Sequence, residues 1–282
     1  LQIIEDINAM RAWSEAERRA GRRIAFVPTM GFLHDGHLAL VRDARARAER
    51  LVVSIFVNPI QFAPSEDYSS YPRDFERDRQ RLECEAVDVL FHPAPAAMYP
   101  PDAQTRVAVE QLSRPLCGAL RPEHFSGVAT VVTKLFNIVL PHVAIFGQKD
   151  YQQLQVIRRL VRDLSLGVEI IVHPTVREAD GLAMSSRNAY LTGVERLAAA
   201  AVPRALCQAE RLFGRGERAA QPIVQRALSE LEQEPLATVE YVQLCDLETL
   251  QPIERVAGGA LLALAVRIGK ARLIDNRVLG ST

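Results

Sequence analysis

The sequence predicts an α/β chain, with a doubly wound parallel sheet over residues 1–175 and a smaller α+β domain over residues 176–282. Three observations predict it. Five short runs rich in β-branched and aromatic residues mostly lack polar alternation, which is how strands covered on both faces read. Longer segments of helical periodicity separate these runs, and such alternation builds parallel sheets wrapped by helices. Beyond Arg187 the order changes to helices followed by clustered strands, the pattern of a separate α+β unit.

Taken in order, the strand runs fall at 23–27 (RIAFV), 51–57 (LVVSIFV), 87–91 (VDVLF), 143–146 (VAIF) and 169–172 (EIIV). Helical patterns occupy 38–50, 74–85, 127–139 and 151–164. The change of character lies between His173 and Asn188. After it, 194–213 and 220–232 read as helices, and 239–244, 260–268 and 272–274 read as strands. Gly214-Arg215-Gly216-Glu217 is a turn between helices, and no internal repeat or low-complexity segment interrupts the chain.

Composition narrows the function classes. The 282 residues are 48% hydrophobic, enough for one large domain or two unequal ones. Lys+Arg and Asp+Glu are both 34, so the chain has no excess charge to attract nucleic acid or an anionic membrane. The apolar stretch 256–266 is too short to cross a bilayer, which takes roughly 20 residues. The opening residues 1–13 do not read as a secretory leader, because no basic region precedes an apolar run. Cys84, Cys117, Cys207 and Cys245 show neither CxxC nor zinc spacing, so they read as reduced thiols. A cytoplasmic protein is expected. Lysine occurs only at Lys134, Lys149 and Lys270, which draws notice to one beside a motif.

The strongest motif is Pro28-Thr29-Met30-Gly31-Phe32-Leu33-His34-Asp35-Gly36-His37, directly after a strand run and opening a helix. Two glycines permit a tight turn and close approach of a ligand. His34 and His37 share one face of the first turn, and a helix N-terminus favours phosphate. Other segments also fall past strand ends, where open α/β sheets bind ligands. They are Phe56-Val57-Asn58-Pro59-Ile60-Gln61-Phe62, Phe146-Gly147-Gln148-Lys149-Asp150-Tyr151-Gln152-Gln153, and the stretch 174–187 with Met184-Ser185-Ser186-Arg187-Asn188. Hydroxyls and arginine suit phosphate oxygens, and Gln61 and Gln153 can each donate and accept toward a hydroxy acid. Asp78 and Asp150 are possible carboxylates near a nucleotide's metal, but no metal cage is visible in the sequence.

G-x-x-H-x-G-H resembles the signature of the HxGH adenylate-forming nucleotidyltransferases, and the SSR segment resembles their later basic loop. With Ala97-Met98-Tyr99-Pro100, His124-Phe125-Ser126-Gly127-Val128 and Arg272-Leu273-Ile274-Asp275-Asn276, the chain resembles the pantothenate synthetases (pantoate–β-alanine ligases) from end to end. The resemblance implies a Rossmann-like first domain, a lid-like second one and a homodimer. It implies ATP with Mg²⁺, the small molecules pantoate and β-alanine, and a pantoyl adenylate between them. It places ATP on Met30, Gly31, Phe32, Leu33, His34, Asp35, Gly36 and His37. Gly147, Gln148, Lys149, Asp150, Val176, Met184, Ser185, Ser186 and Arg187 complete that set, with His37, His34 and Lys149 as the catalytic groups. Gln61 and Gln153 would hold pantoate, with Asn58 and Arg121 as further candidates.

An acyl adenylate hydrolyses readily, so the polar segment 63–70 beside Gln61 is expected to act as a gate. Rival readings are a nucleotidyltransferase with another acceptor, a nucleotide-binding module without turnover, and a fragment of an aminoacyl-tRNA synthetase. The NPIQF and HFSGV segments speak against the first, the retained His34, His37 and Lys149 against the second, and the neutral charge against the third.

Overall fold

The computed structural model describes residues 1–64 and 66–280. Two compact units emerge. The first comprises Leu1–Ser113, Arg121–Gln148 and Gln153–Pro174, and the second Arg114–Leu120, Lys149–Gln152 and Thr175–Thr282. In chain order the elements to residue 173 are β1 (Gln2–Ile4), α1 (Ile7–Arg19), β2 (Ile24–Thr29), α2 (Asp35–Arg45), β3 (Arg50–Ile55), α3 (Phe75–Cys84), β4 (Val89–Phe91), the short α4 (Pro95–Met98) and α5 (Cys117–Leu120), α6 (His124–Val139), β5 (Val143–Gly147), α7 (Tyr151–Asp163) and β6 (Glu169–His173).

The first unit holds one sheet of order β1-β4-β3-β2-β5-β6, and every pair is parallel. Side chains alternate faces along a strand. Ala25 and Val27 of β2, with Val53 of β3 and Ile145 of β5, join a core formed with Leu38 and Val41 of α2 and Leu82 of α3. Phe26 and Phe146 face the other way, each edge-on to Phe136 of α6 at 6.4 Å. Both faces are covered, so the strands are apolar throughout rather than alternating. The strand order turns back between β2 and β5, the point where such sheets open a crevice at their carboxyl ends.

β1 and α1 carry no label in the sequence reading. Asp6 caps α1 by accepting the Ala9 N–H at 2.7 Å, an N-terminal signal legible in principle. The stretch 38–50, read as one helix, divides into α2 and the first residue of β3, because α2 ends at Arg45.

The second unit adds α8 (Gly193–Ala198), α9 (Ala201–Gly214), α10 (Ala220–Leu231) and the antiparallel strands β7 (Ala237–Cys245), β8 (Ala260–Ile268) and β9 (Ala271–Leu279), in order β7-β8-β9. Leu262, Leu264, Val266 and Ile268 pack with Val202, Leu206, Ile223 and Leu231 of α9 and α10. The helix expected at 194–213 breaks at Ala199–Ala200. Pro203 has no N–H for the Ala199 carbonyl, so a continuous helix would lose that bond, whereas proline is tolerated in the first turn of α9.

Candidate active site

The corner from β2 into α2 is built on a left-handed curl. Gly31 has φ +82° and Phe32 +50°. A Cβ at Gly31 would stand 2.9 Å from Ile55 Cγ2 and 3.1 Å from Asp78 Oδ2, so the position requires glycine. The curl turns two successive N–H groups inward, and Phe32 and Leu33 donate to Asp78 Oδ2 and Oδ1 at 2.6 and 2.7 Å. Asp78 is 1% exposed. Burial raises its carboxyl above the usual range, opposed by those two N–H bonds. Both of its oxygens therefore anchor the corner.

His34 is the N-cap of α2, its carbonyl accepting from His37 N–H at 2.8 Å. Its own N–H donates to His37 Nδ1 at 3.3 Å, and the two rings lie 3.9 Å apart. An imidazole whose Nδ1 accepts keeps its proton on Nε2 when neutral. The cap thus turns His37 into an Nε2–H donor.

A second cluster surrounds the 3₁₀ turn Pro59–Gln61 after β3. Asn58 Nδ2 donates to Gln61 Oε1 at 3.1 Å and to the Gly127 carbonyl at 3.0 Å. Tyr99 O–H donates to Asn58 Oδ1 at 2.9 Å, and Gln61 Nε2 donates to Met30 Sδ at 3.0 Å. A Cβ on Gly127 would lie 2.4 Å from the Ile60 carbonyl oxygen, so α6 touches the turn through bare backbone. Arg121 clasps Glu66 through Nε and Nη2 at 2.5 and 2.6 Å and reaches the Gln61 carbonyl at 3.3 Å. Burial pushes the Glu66 carboxyl up, but the Arg121 hydrogen bond and charge outweigh it and hold it low. Of the segment 63–70, Ser65 lies outside the described residues, and Phe62 stacks obliquely on Tyr68 at 5.5 Å. Gln153 is half-buried in the first turn of α7 and is not part of this network. Gly147 ends β5 and Gln148–Asp150 form a 3₁₀ turn.

A cavity of about 220 Å³ borders the corner through Met30, Gly31 and Phe32. His34, His37 and Gln61 do not line it, so it is a neighbour of the candidate site rather than its centre.

In the second unit, Lys149 Nζ lies 3.8 Å from Asp150 Oδ1, and its carbonyl accepts from Asn276 Nδ2 at 2.8 Å. Lys149 and Ser185 line one small pocket with Asn188 and Asp275. Met184 N–H donates to the Val176 carbonyl at 3.0 Å, closing a loop whose Arg177 pairs with Asp275 through both nitrogens at 2.6 and 2.9 Å. Ser185 caps the 3₁₀ helix Ser186–Tyr190 by accepting from Arg187 N–H at 3.3 Å. Lys149 and the SSR loop, 36 residues apart in sequence, are thereby joined through β9.

The family model for pantoate-beta-alanine ligase matches residues 2–278. The chain belongs to the pantoate–β-alanine ligase family. A pantothenate synthetase of Thermotoga neapolitana is 56% identical over 280 residues, covering 99% of this chain and 100% of that protein. The crystal structure of pantothenate synthetase from Thermus thermophilus superposes with a TM-score of 0.93 at 45% identity, covering 98% of this chain and 99% of that one. The pantoate-beta-alanine ligase of Francisella tularensis, complexed with beta-gamma ATP and beta-alanine, has a TM-score of 0.82 at 34% identity, with 99% and 97% covered.

Three residues of this ligase gain roles that sequence reasoning missed. Asp78 anchors the histidine corner, Tyr99 closes the Asn58 network, and Asn276 holds the Lys149 backbone. A signal existed for Asp78, which sits four residues before the core residue Leu82 on the buried side of α3. Tyr99 and Asn276 stand inside quoted motifs, but their partners lie 41 and 127 residues away.

Proposed function

We propose that this pantoate–β-alanine ligase works through a pantoyl adenylate. A pantoate carboxylate oxygen attacks the α-phosphorus of ATP, the bond from that phosphorus to the bridging oxygen breaks, and pyrophosphate leaves with the electron pair. The β-alanine amine then attacks the acyl carbon, the carbon–oxygen bond to phosphate breaks, AMP leaves, and the nitrogen loses a proton. The observation that carries this reading is the pair of imidazoles at the mouth of β2, beside the point where strand order turns back. His37 presents an Nε2–H donor there, suited to phosphate oxygens that gain charge as pyrophosphate departs. The ATP and β-alanine complex of the Francisella relative supports ATP and β-alanine as ligands here.

In this reading His34 stands beside His37, and Met30, Gly31, Phe32, Leu33, Asp35 and Gly36 shape the floor under ATP. The N–H groups of Phe32 and Leu33 are committed to Asp78, so these residues act through position rather than as phosphate donors. Lys149 brings a cation to the phosphates, with Gly147, Gln148 and Asp150 around it. Ser185, Ser186 and Arg187 add donors, and Val176 and Met184 complete the nucleotide contacts. Gln61 and Gln153 hold pantoate, while Arg121 braces the Gln61 backbone. Mg²⁺ enters on the ATP phosphates, whose oxygens commonly supply most of its ligands. Among the described residues no three His, Cys, Asp or Glu gather into a metal cage. A homodimer and a cytoplasmic location belong to the same proposal; light scattering at assay concentration reads the first. Among the described residues no helix is long and apolar enough to cross a membrane.

The test is pantoate-dependent ATP–pyrophosphate exchange with Mg²⁺ and no β-alanine, followed by addition of β-alanine. Exchange that requires pantoate, then AMP and pantothenate in equal amounts, is expected. Amide formation with no exchange under any condition would replace the adenylate with another activated acid.

A further inference from the structure

Gln61 has an acceptor end and a donor end, and the surrounding hydrogen bonds decide which of them faces outward. The Gly127 carbonyl can only accept, so the Asn58 side chain turns its NH₂ toward it at 3.0 Å. Asn58 Oδ1 is then left for Tyr99, whose hydroxyl must donate, at 2.9 Å. The second Asn58 N–H faces Gln61, which can meet it only with Oε1, at 3.1 Å. That consumes the acceptor end of Gln61. Its NH₂ is turned out toward Met30 Sδ at 3.0 Å, and a thioether is a weak acceptor that a substrate oxygen displaces at little cost. Asn58 is 1% exposed and Gln61 8%, so neither amide can turn over without leaving buried groups unpaired.

The geometry points to Tyr99 and Asn58 as positioning residues that fix Gln61 as a hydrogen-bond donor, so that the acid substrate is selected by an acceptor oxygen placed against the Gln61 amide. The inference rests on the placement of pantoate at Gln61 proposed above. It assigns Tyr99 a part in substrate choice and moves Asn58 from contacting the acid to orienting the residue that does. Tyr99 is suited to the role in two further ways. Its ring is held by Phe56 at 6.2 Å and by the Lys134 ammonium at 5.7 Å. Burial pushes its hydroxyl well above the ordinary tyrosine range, with Arg106 acting against it, so near neutral pH it keeps the proton it donates.

Tyr99→Phe removes one oxygen and keeps the ring. The exchange assay is run on Tyr99→Phe, Gln61→Ala and the double variant, with KM for pantoate and for ATP measured separately and the melting temperature of each recorded. Tyr99→Phe is expected to raise the pantoate KM roughly 5- to 30-fold, the scale of one buried hydrogen bond, and to leave the ATP KM within about twofold. In the Gln61→Ala background the same change is expected to add nothing, because it acts only through Gln61. A Tyr99→Phe loss that persists in full in that background overturns the inference. So does an equal rise in both KM values with a lowered melting temperature, which marks a purely structural role. If Gln61→Ala raises the pantoate KM and Tyr99→Phe does not, the inference alone falls. If Gln61→Ala itself leaves the pantoate KM unchanged, the placement of the acid falls with it.

Discussion

One nitrogen decides the chemistry available at the mouth of β2. His37 Nδ1 is turned back onto the His34 N–H, so its proton sits on Nε2. The spacing of His34 and His37 announced the pair, because residues three apart share a helix face. Their separate duties were not legible, since cap and donor differ only in where each ring points. His37→Ala and Lys149→Ala are each expected to lower the exchange rate roughly 10²- to 10³-fold, the usual loss for one transition-state donor. Rapid-quench measurement of pyrophosphate release checks this, and a rate near that of the parent in either variant removes that residue from the catalytic set. Asp78 was hidden for another reason. It meets Phe32 and Leu33 from 46 and 45 residues away, and its place on the buried side of α3 marks it as inward-facing without naming the two N–H groups it accepts from.

At the scale of elements, α6 and the turn Pro59–Gln61 fit closely. The HFSGV motif carries a glycine because the backbone of α6 lies against the turn, where a Cβ would meet Ile60 O at 2.4 Å and Gln61 Cα at 2.6 Å. Gly127→Ala is expected to destabilise the fold by about 1–3 kcal/mol, as overpacking does, and to raise the pantoate KM by displacing Gln61. Urea unfolding and the exchange assay read the two effects, and unchanged values of both would show that the helix and turn can part freely. The strands were legible because a strand covered on both faces must be apolar throughout. The break between α8 and α9 was written in Pro203, but helical periodicity on either side masked it.

For the whole molecule, equal numbers of acids and bases make stability near neutral pH a matter of local pairing rather than net charge. Several carboxyls are held below their ordinary values. Arg22 does this for Glu17, Arg196 for Asp180 and the Thr249 N–H for Asp246, while at Asp43 burial raises the carboxyl and Arg47 and His173 together outweigh it. A depressed carboxyl contributes stability above its unfolded value and loses that contribution as pH falls through its folded one. Asp78 has the opposite sign, since burial raises it and its cost shrinks as it gains a proton. The depressed groups outnumber it. The urea midpoint is therefore expected to slip slightly below about pH 6.5, where the unfolded chain protonates His142 more readily than the buried folded ring, and to fall steadily below about pH 4.5, the ordinary carboxylate range. A midpoint that stays level to pH 3 would mean that these pairs persist in the unfolded chain.

The sequence by itself determined the architecture, because apolar strand runs, amphipathic helices and the shift after Arg187 each follow from local periodicity and burial. It also marked the segments on which the proposed chemistry rests, since HxGH, NPIQF, GQKD and SSR all sit just past strand or turn signals. Only the tertiary structure decided how those side chains are oriented. The outward amide of Gln61 and the grip of Asn276 on Lys149 depend on bonds between groups 41 and 127 residues apart in the chain, and the proton on His37 on the way the ring folds back onto the cap of α2. A hydrogen bond has a direction, and that direction is set by whichever group the fold brings opposite, which periodicity along the chain does not encode.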